Sequence, residues 1–331
     1  MKKLINDPDD FVDEVLDAIL LAHPDRLRRV PDQRRALVRA DAPGDRVGIV
    51  TGGGSGHLPV FLGYVGVGLC SGVAVGNVFS SPSSEAVLAA TKASDSGRGV
   101  LHLIGNYGGD VLNFGLAADL AELDGTAVRT VLVTDDVLSA PAERAESRRG
   151  VAGMVLGYKC AGAAAERGDD LAEVARIAAK AVAATRTAGV GLSPTILPAA
   201  GKPTFELADG EMEIGVGIHG EPGTHRGPLE TADRVVDRLL DAILAEVQPG
   251  AGGNVAVLVN GLGATPLEEL YLLYARTEQR LDKLGLRVAR KYIGEYATSL
   301  EMAGASISVM ALDDELSELV EAPASSPFFV Q

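Results

Sequence analysis

Three short apolar runs in this chain each empty into a cluster of glycines, and that arrangement restricts the fold more than any other feature. Residues 47–51 lead into Gly52-Gly53-Gly54-Ser55-Gly56-His57, residues 100–104 into Gly105-Asn106-Tyr107-Gly108-Gly109-Asp110, and residues 254–259 into Asn260-Gly261-Leu262-Gly263-Ala264. Apolar runs this short read as buried strands, and glycine at their ends allows close backbone approach. Helical patterns separate them. Phe11, Val15, Ala18, Ile19 and Ala22 recur at helical spacing, and residues 112–120, 153–165 and 171–187 continue the alternation. The expectation is an α/β protein with mixed, mostly parallel sheets.

The remaining stretches give more local expectations. The arginine-rich segment up to Arg39 reads as a surface loop or short helix with solvated charges. Residues 72–79, 130–134, 288–292 and 306–312 read as further strands. Ser81 and Pro82 suit the N-cap and first position of a helix with Glu85 in its first turn, and Thr265-Pro266-Leu267-Glu268 has the form of a capping box. Ala208-Asp209-Gly210 suits a hairpin turn between residues 204–207 and 212–217. Glycines and prolines gather from Gly189 to Pro203, so the chain divides into two α/β domains, 1–188 and 189–331, with a substrate cleft between or beside them.

Charge and composition exclude several functions. Thirty Lys and Arg face 45 Asp and Glu, a net charge of −15, and Trp is absent. A nucleic-acid partner is therefore not expected. The apolar stretches are too short and too rich in glycine to span a bilayer, and the acidic N-terminus lacks a signal pattern. Cys70 and Cys160 lack metal-ligand spacing and suit a reducing compartment, so the expected location is the cytoplasm.

Three residues carry chemistry. The first glycine cluster has no Lys followed by Ser or Thr, so it is not a P-loop; Gly215-x-Gly217-x-x-Gly220 runs into Glu221-Pro222-Gly223 and not into a helix, so it is not a dinucleotide fingerprint. What remains is His57 in one loop, Asp110 in another, and His219 between glycines that leave its imidazole uncrowded. Asp110 is placed as a general base or as a helix N-cap; His102, inside a strand, reads as structural. Each of the three ends a strand, so they converge on one cleft as an acid-base and nucleophile set without a metal or redox pattern.

With these loops in view, the chain resembles the K subunit of dihydroxyacetone kinases over nearly its whole length. The resemblance rests on Met1-Lys2-Lys3-Leu4-Ile5-Asn6-Asp7-Pro8, Arg39-Ala40-Asp41-Ala42-Pro43, the loop from Gly52 to His57, Asn106-Tyr107, Gly109-Asp110, Asn113-Phe114, Arg148-Arg149-Gly150-Val151-Ala152, Pro198-Ala199-Ala200-Gly201-Lys202-Pro203, the loop from Gly215 to Gly223, and Leu262-Gly263-Ala264-Thr265-Pro266. It implies that His219 binds the ketone carbon of a short ketose as a hemiaminal. It further implies that His57 and Asp110 hold and deprotonate the terminal hydroxyl, with Gly54, Ser55, Gly56 and Gly105 lining the substrate. ATP and Mg²⁺, or a tightly held ADP recharged by a phosphotransferase-system protein, are then carried by a separate L subunit, and the K subunit is a homodimer without a cofactor or metal of its own.

Two positions depart from the family pattern. Leu58 stands where the family usually has glutamate, and Gly105 where it usually has lysine; the loss of lysine removes a charged donor and opens space. A four-carbon ketose such as erythrulose is therefore an alternative substrate, and His225 a candidate lining residue. From another class, a ketose-sensing coactivator of a transcription regulator is the second reading. Retention of His57, Asp110 and His219 together favours the enzyme, since a sensor needs capture but no base.

Overall fold

A computed structural model describes residues 2–247, 249 and 253–331; Met1, the first residue of the opening motif, lies outside the described residues. Two six-stranded sheets dominate it. The first contains β1 (Leu27–Val30), β2 (Gln33–Arg39), β3 (Gly48–Ser55), β4 (Gly72–Val78), β5 (Val100–Gly105) and β6 (Val128–Val133), in the order β1-β2-β4-β3-β5-β6. The pairs β3–β4, β3–β5 and β5–β6 are parallel, while β1–β2 and β2–β4 are antiparallel. The second contains β7 (Thr185–Ser193), β8 (Glu211–Ile214), β9 (His225–Pro228), β10 (Asn254–Gly261), β11 (Arg287–Gly294) and β12 (Ala303–Leu312), in the order β11-β10-β12-β7-β8-β9. In it only β10–β11 is parallel among the described pairs. The anticipated mixed α/β class is present, but the sheets are not mostly parallel: four of the ten described pairings are parallel, three of them in the first sheet.

The helices are α1 (Phe11–Ala22), α2 (Ser84–Ser94), α3 (Gly108–Leu123), α4 (Met154–Arg167), α5 (Leu171–Ala184), α6 (Ala232–Leu244), α7 (Leu267–Lys283) and α8 (Asp314–Glu321). Every residue of α4 from Met154 to Ala165 is buried. A helix buried on all sides belongs in an interior, and its one charged residue there, Lys159, donates its ammonium to the Ala322 carbonyl. Its residues share one apolar cluster with Ile49, Val73 and Leu101 of the first sheet and Ala256, Leu258, Tyr292 and Met310 of the second. Among the described residues, no helix is long and apolar enough to cross a membrane.

Several local expectations are corrected. The arginine-rich stretch is the β1–β2 hairpin, turning at Asp32, whose φ is 59°. Its arginines are not simply solvated: Arg29 and Arg34 pair with Asp17, Arg35 with Asp13, and the buried Arg39 with Asp41 and Glu166. No apolar alternation marks these strands, which bury Leu27 and Val30 in β1 and four consecutive residues, Ala36 to Arg39, in β2. The strand expected to break at Gly52 runs through the glycines to Ser55, because Gly52, Gly53 and Gly54 pair with β4.

Helix starts and the second hairpin also differ. The α2 N-cap is Ser83, which accepts from the Ala86 amide, and Ser81 is free for another partner. At α7 the cap position is Pro266, while the Thr265 hydroxyl donates to the Gly304 carbonyl and accepts from the Gly304 amide. A neighbouring strand end thus outcompetes the capping box. Residues 204–207 are not a strand; β8 pairs instead with β9, so His219 sits in the loop that joins those two strands.

Candidate active site

His57, Asp110 and His219 reach one place from three elements: the end of β3, the first turn of α3, and the β8–β9 loop of the other sheet. Hydrogen bonds to backbone carbonyls lock the seam between the sheets. The Leu300 amide donates to the Gly56 carbonyl at 2.7 Å and the Thr298 hydroxyl to the Leu58 carbonyl at 2.8 Å. Gly56 has φ of 98°, a conformation glycine adopts without a Cβ clash.

His57 is 1% exposed, and its Nδ1 lies 2.7 Å from the Thr298 carbonyl oxygen. A carbonyl only accepts, so Nδ1 carries the hydrogen and the lone pair sits on Nε2. That Nε2 is buried without a partner. Burial, followed by the charge of His219, pushes the His57 pKa down to about 3, so the ring is neutral near pH 7. The His57 ring stacks on Phe79 at 4.7 Å and meets His219 edge to face at 4.9 Å. A buried imidazole acceptor with nothing to accept needs an explanation, and a ligand hydroxyl supplies one.

Asp110 is neither exposed nor a cap: it is the third residue of α3, and its carboxylate accepts from the Ser81 hydroxyl at 2.6 Å. Burial raises its pKa to about 6, against the lowering effects of the Ser81 bond and of charge on His219. A carboxyl in this range is mostly ionised at pH 7 yet basic enough to take a proton.

His219 is held by Glu221, which the sequence reading left without a role. The ring Nδ1 donates to Glu221 Oε1 at 2.9 Å, and the His219 backbone amide donates to Oε2 at 2.9 Å. Burial alone would raise the Glu221 pKa, but the His219 hydrogen bond and charge, together with Arg149, bring it down to about 2. An ionised carboxylate only accepts, so Nδ1 carries a hydrogen. The imidazole is not uncrowded as expected. Tyr107 stands edge to face with it at 4.8 Å and Phe79 at 5.4 Å. Phe79 itself has φ of 56°, a left-handed strain that a non-glycine residue keeps where the surroundings enforce it.

The glycines serve neighbours more than ligand. A Cβ on Gly217 would fall 2.1 Å from Glu221 Oε2 and 2.4 Å from Arg149 Nη1, so this glycine makes room for that pair. At Gly105 a Cβ would meet the Tyr107 ring at 3.0 Å. The space expected to open there is walled by tyrosine, whose hydroxyl donates to the Gly150 carbonyl.

Ser55 donates its hydroxyl to the Gly76 carbonyl at 3.0 Å. Gly54, Ser55, Gly56 and His57 also border a cavity of about 260 Å³ against α1, which Gly105, Asp110 and His219 do not line. His225 is exposed, in β9.

These paired imidazoles beside a basic carboxylate sit on a chain whose sequence matches the Dak1 domain over residues 17–328. The chain belongs to the Dak1 domain family. It is 44% identical over 330 residues to the dihydroxyacetone-binding subunit of a PTS-dependent dihydroxyacetone kinase of Listeria innocua, covering 99% of each chain. It is 45% identical to the L-erythrulose 1-kinase of Mycolicibacterium smegmatis, covering 99% of this chain and 58% of that one. Among solved structures, the dihydroxyacetone kinase of C. freundii superposes with a TM-score of 0.87 at 32% identity, covering 98% of this chain and 59% of that one. In this Dak1 protein the long ordered motifs read from the sequence therefore mark a shared fold.

Proposed function

We propose that this chain is the ketose-binding subunit of a kinase whose phosphoryl donor is carried by a separate L-type subunit. The observation that carries the proposal is the pair of imidazoles 4.9 Å apart, each with its Nδ1 against an acceptor oxygen, an arrangement that leaves Nε2 for a ligand. One serves as nucleophile and the other as hydroxyl acceptor. The relatives named as dihydroxyacetone-binding subunit and erythrulose kinase support the assignment.

In the first step the Nε2 lone pair of His219 adds to the ketone carbon, and the carbonyl π pair moves to oxygen, which takes a proton from solvent. The ring becomes positive, and Glu221 offsets that charge until the ring loses its Nδ1 proton to solvent, leaving a neutral hemiaminal. A polyol without a carbonyl cannot be held this way. In the second step the terminal hydroxyl, whose one hydrogen rests on His57 Nε2 in the adduct, turns that hydrogen to Asp110, loses it there and attacks phosphorus as the bond between phosphorus and donor breaks.

The donor is ATP with Mg²⁺, or a tightly held ADP that a phosphotransferase-system protein recharges, on the partner. Dihydroxyacetone and erythrulose both fit this chemistry. The setting is the cytoplasm and the assembly a homodimer. The test mixes the purified chain with an L-type subunit, MgATP and a panel of three- and four-carbon ketoses, and follows ADP release. Phosphorylation of any of them that requires His219 supports the kinase. Binding without phosphorylation, with every L-type partner tried, would move the assignment to a sensing protein.

A further inference from the structure

We infer that Arg149 is a positioning residue for ketose capture: anchored on Asp136 and on the Gly215 carbonyl, it holds Glu221 against His219 Nδ1 and so keeps the nucleophilic lone pair on Nε2. The inference rests on the reading of His219 as the covalent anchor.

A neutral imidazole has two tautomers, and the bond made by one ring nitrogen decides where the other's lone pair lies. For attack through Nε2 the hydrogen must stay on Nδ1. Glu221 enforces this, but it is itself a side chain on a glycine-rich loop. Both of its oxygens are committed to His219, so nothing within the pair fixes its position relative to the rest of the protein.

Arg149 supplies that reference. It follows β6, on the first sheet's side of the seam, and reaches across to the loop. Its Nε donates to Asp136 Oδ2 at 3.0 Å, and Nη2 lies 2.8 Å from the same oxygen. Nη2 also donates to the Gly215 carbonyl at 2.9 Å, and Nη1 forms an ion pair with Glu221 Oε2 at 3.8 Å. Its backbone is fixed too: the Arg149 amide donates to the Ser139 hydroxyl, and the Asp136 amide to the Arg149 carbonyl. One planar fork thus pins the start of the loop and its carboxylate together, a geometry that a single lysine ammonium does not reproduce. The absent Cβ at Gly217 is the space this pair occupies.

The test uses the full chain labelled with ¹⁵N-histidine, as Arg149→Lys, Arg149→Met and Gly217→Ala. In ligand-free protein near pH 7, the wild-type His219 ring shifts should show hydrogen on Nδ1, and each variant should move them toward a tautomer mixture. Dihydroxyacetone capture, followed by the same ring signals, should weaken roughly tenfold as the competent fraction of His219 falls to about a tenth. Arg149→Met in an Glu221→Leu background should add no further loss, because Arg149 acts through Glu221. Unchanged ring shifts in the folded variants, or a full additional loss in the double variant, would overturn the inference. Absence of any adduct in the wild type would instead remove the covalent reading, while the ligand-free shifts would still judge Arg149.

Discussion

The imidazole of His57 donates from Nδ1 to the carbonyl of Thr298, a residue 241 positions away in the chain and on the other side of the seam between the sheets. That bond fixes the tautomer and turns Nε2 into an acceptor. Replacing His57 with Leu should lower the phosphorylation rate about 10²–10⁴-fold. Capture on His219 should persist, since the adduct needs only the other imidazole. Rate and adduct measured on one sample check this, and loss of both together would place His57 in binding alone.

Asp110 should set the acid limb of the reaction. With its pKa raised to about 6, the rate at saturating ketose should rise with pH through that value and level off above it. Asp110→Asn should abolish the limb as well as the rate. A limb of the same shape in the residual activity of Asp110→Asn would assign it to another group.

The same two groups pull stability in opposite directions with pH. His57 goes from an ordinary 6.5 to about 3 on folding, so between these values the unfolded chain binds more protons there, and stability falls as pH falls. Asp110 goes from 3.8 to about 6, so the folded chain binds more protons between them, and its contribution is lost as pH rises through 6. Asp110→Asn should therefore be more stable than wild type at pH 7, by ~1–3 kcal/mol, and equal to it near pH 4. Urea unfolding at both pH values measures the difference.

Gly105 should tune substrate size through Tyr107. A methyl at residue 105 would meet the tyrosine ring at 3.0 Å and press it toward His219, against which the ring already packs. Gly105→Ala should lower kcat/KM for a four-carbon ketose several-fold more than for a three-carbon one, on the scale of ~1 kcal/mol for a steric change of one methyl group. Equal losses for both would show that the wall does not touch the fourth carbon.

Much of the architecture was legible because period and punctuation agree: the runs at 100–104 and 254–259 are strands, and the alanine-rich segments are α4 and α5. The β1–β2 hairpin was not, because no period-2 alternation marks it: β1 buries its two ends and β2 buries Ala36 to Arg39 in a row. Ser81 shows the same limit at the site. Its position before a proline suits a cap, yet the hydroxyl goes to Asp110, which lies 29 residues on in sequence. His57, Asp110 and His219 could be found as polar groups at strand ends. Glu221 left one trace, a carboxylate two residues from a histidine among glycines, and Tyr107 stood in the Asn106-Tyr107 motif without a role; Phe79 left none, since contact between loops is not something sequence spacing shows.

The helix α4, buried on every side, also has a thermodynamic consequence. Its apolar side chains belong to one cluster fed by both sheets, so loss of packing on either side of α4 exposes apolar surface shared with the other. The two halves should melt as one cooperative unit, giving a single calorimetric peak whose van't Hoff and calorimetric enthalpies agree. Heat inactivation and loss of secondary structure should then coincide, with no partly folded species that keeps one imidazole and releases the other.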